Sequence, residues 1–169
     1  MSKSLINQMR AAGVVVAWFR PPVRWKLWKL DNRTHRKVLV CDGSIAFTGG
    51  VGIAEQWEGD ARNPNEWRDT HFQVEGPAVQ GLQAAFLDNW VETGQTVRED
   101  VAQLMGAQAL KPIGKSQIQV IRTTATVNWS PIATLFRVLL NLAKHKVRIT
   151  TGYFVPNADL LQLLKETVQ

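Results

Sequence analysis

The chain alternates between short runs of β-branched and apolar residues and longer segments with apolar side chains at helical spacing. Residues 14–19 form a short β-rich run, which predicts a buried strand. Residues 35–41 and 44–48 form two more such runs, separated by Asp42 and Gly43. Because both positions of a two-residue hairpin turn need positive φ, this dipeptide between apolar runs predicts a β-hairpin.

The remaining segments predict four helices with strands between them. Helices are expected over residues 4–12 and 77–93, from Pro131 to about Lys144, and from Asn157 onwards. The core face of the second helix is expected to hold Val79, Leu82, Phe86 and Trp90. Further strands are expected over residues 70–75, 118–121 and 147–151. This order predicts an α/β protein with a parallel or mixed β-sheet flanked by helices.

A mixed segment separates two parts of the chain. Residues 94–115 are mixed in composition and contain several glycines and Pro112. Such a change in composition is typical of a domain boundary. We therefore predict one domain over residues 1–110 and a second over residues 111–169.

Composition and charge narrow the class of function. The net charge is +6 over 169 residues, which favours anionic partners such as nucleic acid, lipid headgroups or phosphorylated small molecules. Cys41 is the only cysteine, which excludes an intramolecular disulfide and suits the cytoplasm. The three histidines lack the spacing of a zinc site, and we predict no metal. The longest apolar run, residues 13–19, is much shorter than the roughly 20 residues of a membrane-spanning helix.

A basic-aromatic stretch lies between the first predicted strand and the hairpin. It consists of Arg24, Trp25, Lys26, Trp28 and Lys29. Interleaved cations and tryptophans suit an anionic membrane surface. The same pattern also suits nucleic acid, whose phosphates bind cations and whose bases stack on aromatic rings. An ordinary solvated loop with its two tryptophans packed inward is the third interpretation, and the residues alone leave all three open.

The most informative chemistry lies at the start of the predicted hairpin. His35 and Lys37 are two residues apart, so on a strand they share one face. A histidine can form a covalent intermediate as a nucleophile, and a second histidine can protonate the leaving oxygen. A lysine neutralises charge on the non-bridging oxygens of a phosphate. The pair therefore indicates phosphoryl chemistry, of which the chain carries one copy.

Other polar residues and glycines near this pair are assigned less direct roles. Asp42 has the opposite parity and falls in the turn, so we expect it to stabilise the hairpin rather than to contact the same phosphate. A nucleophilic histidine needs a carboxylate on its other nitrogen, and Asp69 is our candidate. His71 shares a strand face with Asp69 and is interpreted as a packing residue. Gly49 and Gly50 form either a bend or a phosphate cradle.

These motifs resemble those of a known family. His35, Lys37 and Asp42, followed by Gly49 and Gly50, resemble the HKD motif of the phospholipase D superfamily. Its cardiolipin synthase-like branch is similar over the longer segments 32–37, 46–54, 67–69, 76–77 and 153–156. The resemblance covers nearly the whole chain.

The resemblance implies a fold and a mechanism. The fold is a phospholipase D-like α/β sandwich of two similar halves, each giving one HKD motif to a shared site. His35 would attack phosphorus to form a phosphohistidine, or would serve as the acid. Lys37, with Gly49 and Gly50, would bind the phosphate, and Asp69 would orient His35. The substrate would be a phospholipid, with no metal or other cofactor. Water as acceptor gives hydrolysis, and an alcohol such as phosphatidylglycerol gives transfer.

The single motif leaves three functional hypotheses. Residues 116–169 resemble only the opening of a second half, which is therefore incomplete and lacks its HKD motif. We expect either a fragment of a longer enzyme or a chain that completes its site as a homodimer. Phosphatidyl transfer or phospholipase activity is the first hypothesis, with a peripheral location at the inner face of the cell membrane. A metal-independent nuclease of the same superfamily is the second, and an inactive half-domain is the third.

Overall fold

A computed structural model describes the chain over residues 2–21, 35–97, 99, 110–123, 131–151 and 153–168. Its helices are α1 (Lys3–Ala11), α2 (Ala78–Glu92), α3 (Pro131–Leu142) and α4 (Ala158–Val168), and its strands are β1 (Val38–Cys41), β2 (Ile45–Gly49) and β3 (His71–Glu75). The residues form two compact units, Met1–Val120 and Ile121–Gln169. The mixture of helices and sheet confirms the predicted α/β class.

The three strands form an antiparallel sheet in the order β1-β2-β3, rather than the expected parallel or mixed sheet. Parallel neighbours need a crossover connection, which is usually a helix, and no α-helix lies between these consecutive strands. The hairpin between β1 and β2 turns at Asp42 and Gly43, whose φ angles are +51° and +65°. These angles confirm the hairpin predicted from the Asp-Gly dipeptide. The first strand is shorter than expected, because β1 begins at Val38 rather than at residue 35.

Helix α2 covers one face of this sheet. Val79 and Leu82 of the helix are buried against Ala46 of β2 and Val74 of β3, and these four residues form the core. Val38 and Val40 of β1 and the nearby Ala78, Leu110 and Val120 pack around it. Since neighbours along a strand alternate between faces, residues 37, 39, 47, 49, 71 and 73 belong to the face that points away from α2.

Two groups of predictions about packing and strands were wrong. Phe86 is exposed rather than buried, and it stacks on Trp90 with ring centroids 5.7 Å apart. No strand is assigned over residues 14–19, 118–121 or 147–151. A strand needs a hydrogen-bonded neighbour, and none of these segments pairs with another strand in the described parts of the chain. Their β-rich composition alone therefore leaves them irregular.

The second unit consists of α3, α4 and the segment between them. Asn157 caps α4, because its Oδ1 accepts a hydrogen bond from the backbone N–H of Leu160 at 2.9 Å. This contact confirms the predicted start of the last helix. Arg137 of α3 pairs with Asp159 of α4 at 2.8 Å. Across the residues that are described, no helix combines the length and the apolar character that crossing a bilayer requires.

Candidate active site

His35 and Lys37 lie directly before β1, at the same end of the sheet as the glycine pair. The Lys37 ammonium donates to the backbone carbonyl of His35 at 3.5 Å. Thr48 of β2 donates its hydroxyl to the carbonyl of Lys37 at 2.9 Å, which extends the contact between the two strands beyond Val38. His35 is exposed and Lys37 is half-buried. An imidazole and an ammonium are thus held on one short segment that is open to solvent.

Arg36, the residue between them, anchors this segment to α2. Its guanidinium donates to the carbonyl of Ala85 at 2.8 Å and to the side-chain oxygen of Asn89 at 2.9 Å. Asp88 lies 3.8 Å from the same group, and the Arg36 side chain is only 17% exposed. Because hydrogen bonds from a charged donor are the stronger kind, this contact fixes the backbone on both sides of Arg36.

Replacing Arg36 by leucine should therefore lower the free energy of unfolding by about 1–3 kcal/mol, since a charged hydrogen-bond donor is removed from half-buried acceptors. Urea unfolding followed by circular dichroism measures this change. Arg68→Leu is the matched control, because Arg68 is 71% exposed and its pair with Asp60 is 3.5 Å long. Such an exposed pair contributes at most about 1 kcal/mol. Equal losses in the two variants would contradict the anchoring role.

The space around Gly49 and Gly50 explains why both positions are glycine. A Cβ on Gly49 would overlap the carbonyl oxygen of Thr70 and would lie 2.7 Å from Cα and 2.8 Å from Nδ1 of His71. A Cβ on Gly50 would overlap the carboxylate of Asp69, with Oδ1 only 2.6 Å away. Gly49 therefore makes room for the backbone at the start of β3 and for the His71 ring, and Gly50 makes room for the Asp69 carboxylate.

Asp42 and Asp69, the two predicted carboxylates, lie at opposite ends of the sheet. Asp42 is in the hairpin turn, five residues and roughly 16 Å along the strand from Lys37. Asp69 lies beside Gly50, and its Oδ1 accepts a hydrogen bond from the backbone N–H of Thr70 at 2.6 Å. This places Asp69 at the His35 end of the sheet. Its pairing with His35 stays a prediction, as does phosphate binding by the glycine pair.

The basic-aromatic stretch, with Arg24, Trp25, Lys26, Trp28 and Lys29, lies outside the described residues. Its predicted contact with a membrane or another anionic surface is therefore carried by the sequence alone. The site described here consists of the residues that surround the glycine pair.

The loop between β2 and β3 is organised around Glu66. Its carboxylate accepts hydrogen bonds from the Arg62 side chain at 2.9 and 3.1 Å, from the Asn63 amide at 2.8 Å and from the backbone N–H of Asp60 at 3.1 Å. The hydrogen bond from Arg62, followed by the one from the Asp60 backbone, lowers the pKa of Glu66 below its ordinary value of 4.5. The loop is thus tied together by one ionised carboxylate.

This lowered pKa predicts that the loop loosens in acid. A carboxyl whose pKa is lower in the folded state stabilises that state above its unfolded pKa, and the contribution is lost as the pH falls through the folded value. Trp57 and Trp67 close the loop, with ring centroids 5.3 Å apart at 86°, so their indole N–H signals in NMR spectra report on it. We expect both signals to move as the pH falls below 4.5 and through the lower pKa that Glu66 has in the folded state. Glu66→Gln should show the acid positions already at neutral pH, and an unchanged spectrum in that variant would contradict this role.

Sequence reasoning missed two residues near the site. The role of Arg36 has no local signal in the sequence, because its partners on α2 lie 49 and 53 positions later in the chain. Strand alternation does indicate that it points away from its neighbours, towards a covering helix. His71, which the sequence pattern predicts to be a packing residue, is exposed and faces Gly49 in the β2–β3 register. Only the register between β2 and β3 reveals this position, because it places His71 opposite Gly49.

Curated proteins provide independent evidence about this chain. It is 33% identical over 167 residues to a cardiolipin synthase of Alkalihalophilus pseudofirmus and 34% identical over 167 residues to one of Halalkalibacterium halodurans. It is also 34% identical over 168 residues to cardiolipin synthase 2 of Bacillus cereus. Each alignment covers 98% of this chain and 32–33% of the relative, so the chain spans about a third of the length of these curated relatives. No family model and no solved structure matches it.

Proposed function

We propose that the chain provides one half of a phosphatidyltransferase site, because it belongs to the cardiolipin synthase-like branch of the phospholipase D superfamily. The substrate in this proposal is a phospholipid. The observation that carries it is similarity to proteins named cardiolipin synthase over 98% of the chain. His35 is exposed, and the Lys37 ammonium donates a hydrogen bond to its backbone carbonyl, which supports the same assignment.

In the proposed reaction, a ring nitrogen of His35 attacks the phosphorus of the phospholipid. The bond between phosphorus and the headgroup oxygen breaks, and the leaving oxygen takes a proton from a second imidazole. Lys37 stabilises the charge on the non-bridging oxygens. An acceptor hydroxyl, such as that of phosphatidylglycerol, then gives its proton back to the second imidazole and displaces His35. With water as acceptor the result is hydrolysis.

The second imidazole is the main requirement of this proposal. The 169 residues contain one H-x-K-x4-D pattern, at His35, Lys37 and Asp42. A second motif is therefore supplied by another part of a longer protein or by a second copy of this chain. Sedimentation equilibrium separates the two sources, because only the second requires the chain to associate with itself in order to act.

Vesicles of phosphatidylglycerol test the activity. The expected result is conversion of phosphatidylglycerol to cardiolipin and glycerol. Mass spectrometry of proteolytic digests prepared without acid should find a phosphatidyl group on the peptide that contains His35. Single-stranded DNA serves as the alternative substrate. DNA cleavage without lipid turnover would favour the nuclease hypothesis, and inertness of the folded, assembled protein on both substrates would favour an inactive half-domain.

We also propose that the basic-aromatic stretch binds the inner face of the cell membrane. Cosedimentation with anionic vesicles measures this contact. Replacing Trp25 and Trp28 by alanine should reduce the bound fraction several-fold on anionic vesicles, because both interfacial anchors are lost. Vesicles of neutral lipid are the control, on which binding of the parent chain should be weak. Equal binding of the parent and the double variant would remove the membrane role from this segment.

A further inference from the structure

A row of three positions crosses the open face of the sheet at the end where His35 lies, from the residue directly before β1 to the first residue of β3. Gly49 pairs directly with His71 in the β2–β3 register. Val38 pairs with Thr48 in the β1–β2 register, so continuing that register by one pair places Lys37 opposite Gly49. Directly opposite residues share one face of a sheet. Lys37, Gly49 and His71 therefore form a row with no side chain at its centre.

The gap at the centre of this row has cationic or hydrogen-bonding side chains on both sides. Adjacent strands are about 4.8 Å apart, so the Cα atoms of Lys37 and His71 are roughly 10 Å apart across Gly49. The His71 ring leans into this gap, because Nδ1 lies 2.8 Å from the position of a Cβ on Gly49. A tetrahedral anion above Gly49 is within reach of both side chains.

We propose that His71 is a further phosphate-binding residue of this site, opposite Lys37. The inference rests on the proposed function and adds to it a contact from the β3 side. An imidazole N–H donates a hydrogen bond to a phosphate oxygen, and a backbone lacking a side chain allows the phosphate to approach the sheet closely. His71 thereby limits the position of the phosphate along the row, while Lys37 supplies charge from the β1 side.

A packing role explains His71 less well. The side chain is exposed, and the face that it occupies points away from α2, whose apolar residues cover the other face. Gln73, two residues further along β3, is also exposed. The apolar core in this part of the chain is complete without His71, whereas a side chain on Gly49 would collide with it.

NMR titration of the full chain with inorganic phosphate tests the inference directly. The ring nitrogen signals of His35 and His71 should shift together and saturate at the same phosphate concentration. His145, which is exposed in the second unit, is the internal control and should not follow that curve. His71→Ala should weaken phosphate binding about tenfold, and His71→Gln should recover part of it because its amide still donates a hydrogen bond.

The outcomes separate this inference from the proposed function. Saturable shifts at His35 with none at His71, or equal phosphate affinity of the parent and His71→Ala, would overturn the inference and leave the proposed function standing. An absence of saturable shifts at both histidines would count against the phosphate site as a whole. Shifts at all three histidines without saturation would indicate nonspecific association and would also overturn it.

Discussion

Replacing His35 by alanine should abolish phosphatidyl transfer by the assembled enzyme, with a loss of at least about 1,000-fold in kcat, because the proposed nucleophile is removed. In the proposed mechanism every turnover passes through a bond between phosphorus and His35. Substrate binding should change much less, since Lys37 and the surface around the glycine pair remain. The variant should therefore still bind phosphatidylglycerol vesicles.

His145→Ala is the matched control for this loss. His145 is also exposed, and it lies in the second unit between Lys144 and Lys146. It should retain full activity on labelled phosphatidylglycerol, measured by thin-layer separation of the lipid products. If His35→Ala kept more than about a tenth of the parent rate, a covalent role for His35 would be ruled out.

Replacing either glycine of the pair by alanine should also have a large effect, mainly on stability at Gly49 and mainly on activity at Gly50. Gly49→Ala forces a Cβ against the Thr70 carbonyl oxygen and the His71 Cα, both of which are backbone atoms of β3. The strands can avoid this contact only by separating, so we expect a loss of at least about 2 kcal/mol in the free energy of unfolding. Thermal and urea unfolding measure this change.

Gly50→Ala should affect activity more than stability. Its Cβ meets the Asp69 carboxylate, which is a side chain and can rotate away. We expect a cost of about 1 kcal/mol in stability and a fall of about 100-fold in activity, because a group proposed to orient His35 is displaced by an ångström or more. Gly114→Ala is the control, since the nearest atom to its added Cβ is 4.0 Å away. If Gly50→Ala were as active as Gly114→Ala, Asp69 would have no positioning role.

Local signals explain what could be predicted from the sequence. The hairpin follows from Asp42 and Gly43 because a tight turn depends on two adjacent residues. The second helix follows from apolar spacing within one segment, and its predicted bounds of 77–93 agree with Ala78–Glu92 to within a residue. The same local pattern places His35 and Lys37 next to a strand, although β1 begins only at Val38, after both residues.

Nonlocal contacts explain what could not be predicted. The β-rich segments 14–19, 118–121 and 147–151 form no strands, because strand formation depends on a partner that composition does not specify. The spatial role of the glycine pair depends on the pairing of β2 with β3, across a loop of more than twenty residues that spans 50–70. The contacts of Arg36 depend in the same way on the position of α2 over the sheet.

Cys41, at the far end of β1, is an attachment point for a probe of the site. It is the only cysteine and it is exposed, so a thiol-reactive spin label attaches at a single place without further mutation. It lies four residues along the strand from Lys37, or roughly 13 Å, on the same open face. If two copies of the chain associated through their half-sites, the two spin labels would lie close enough for their dipolar coupling to be measured. Pulsed spin resonance on the unmodified sequence would then measure the spacing between the two half-sites of such a dimer.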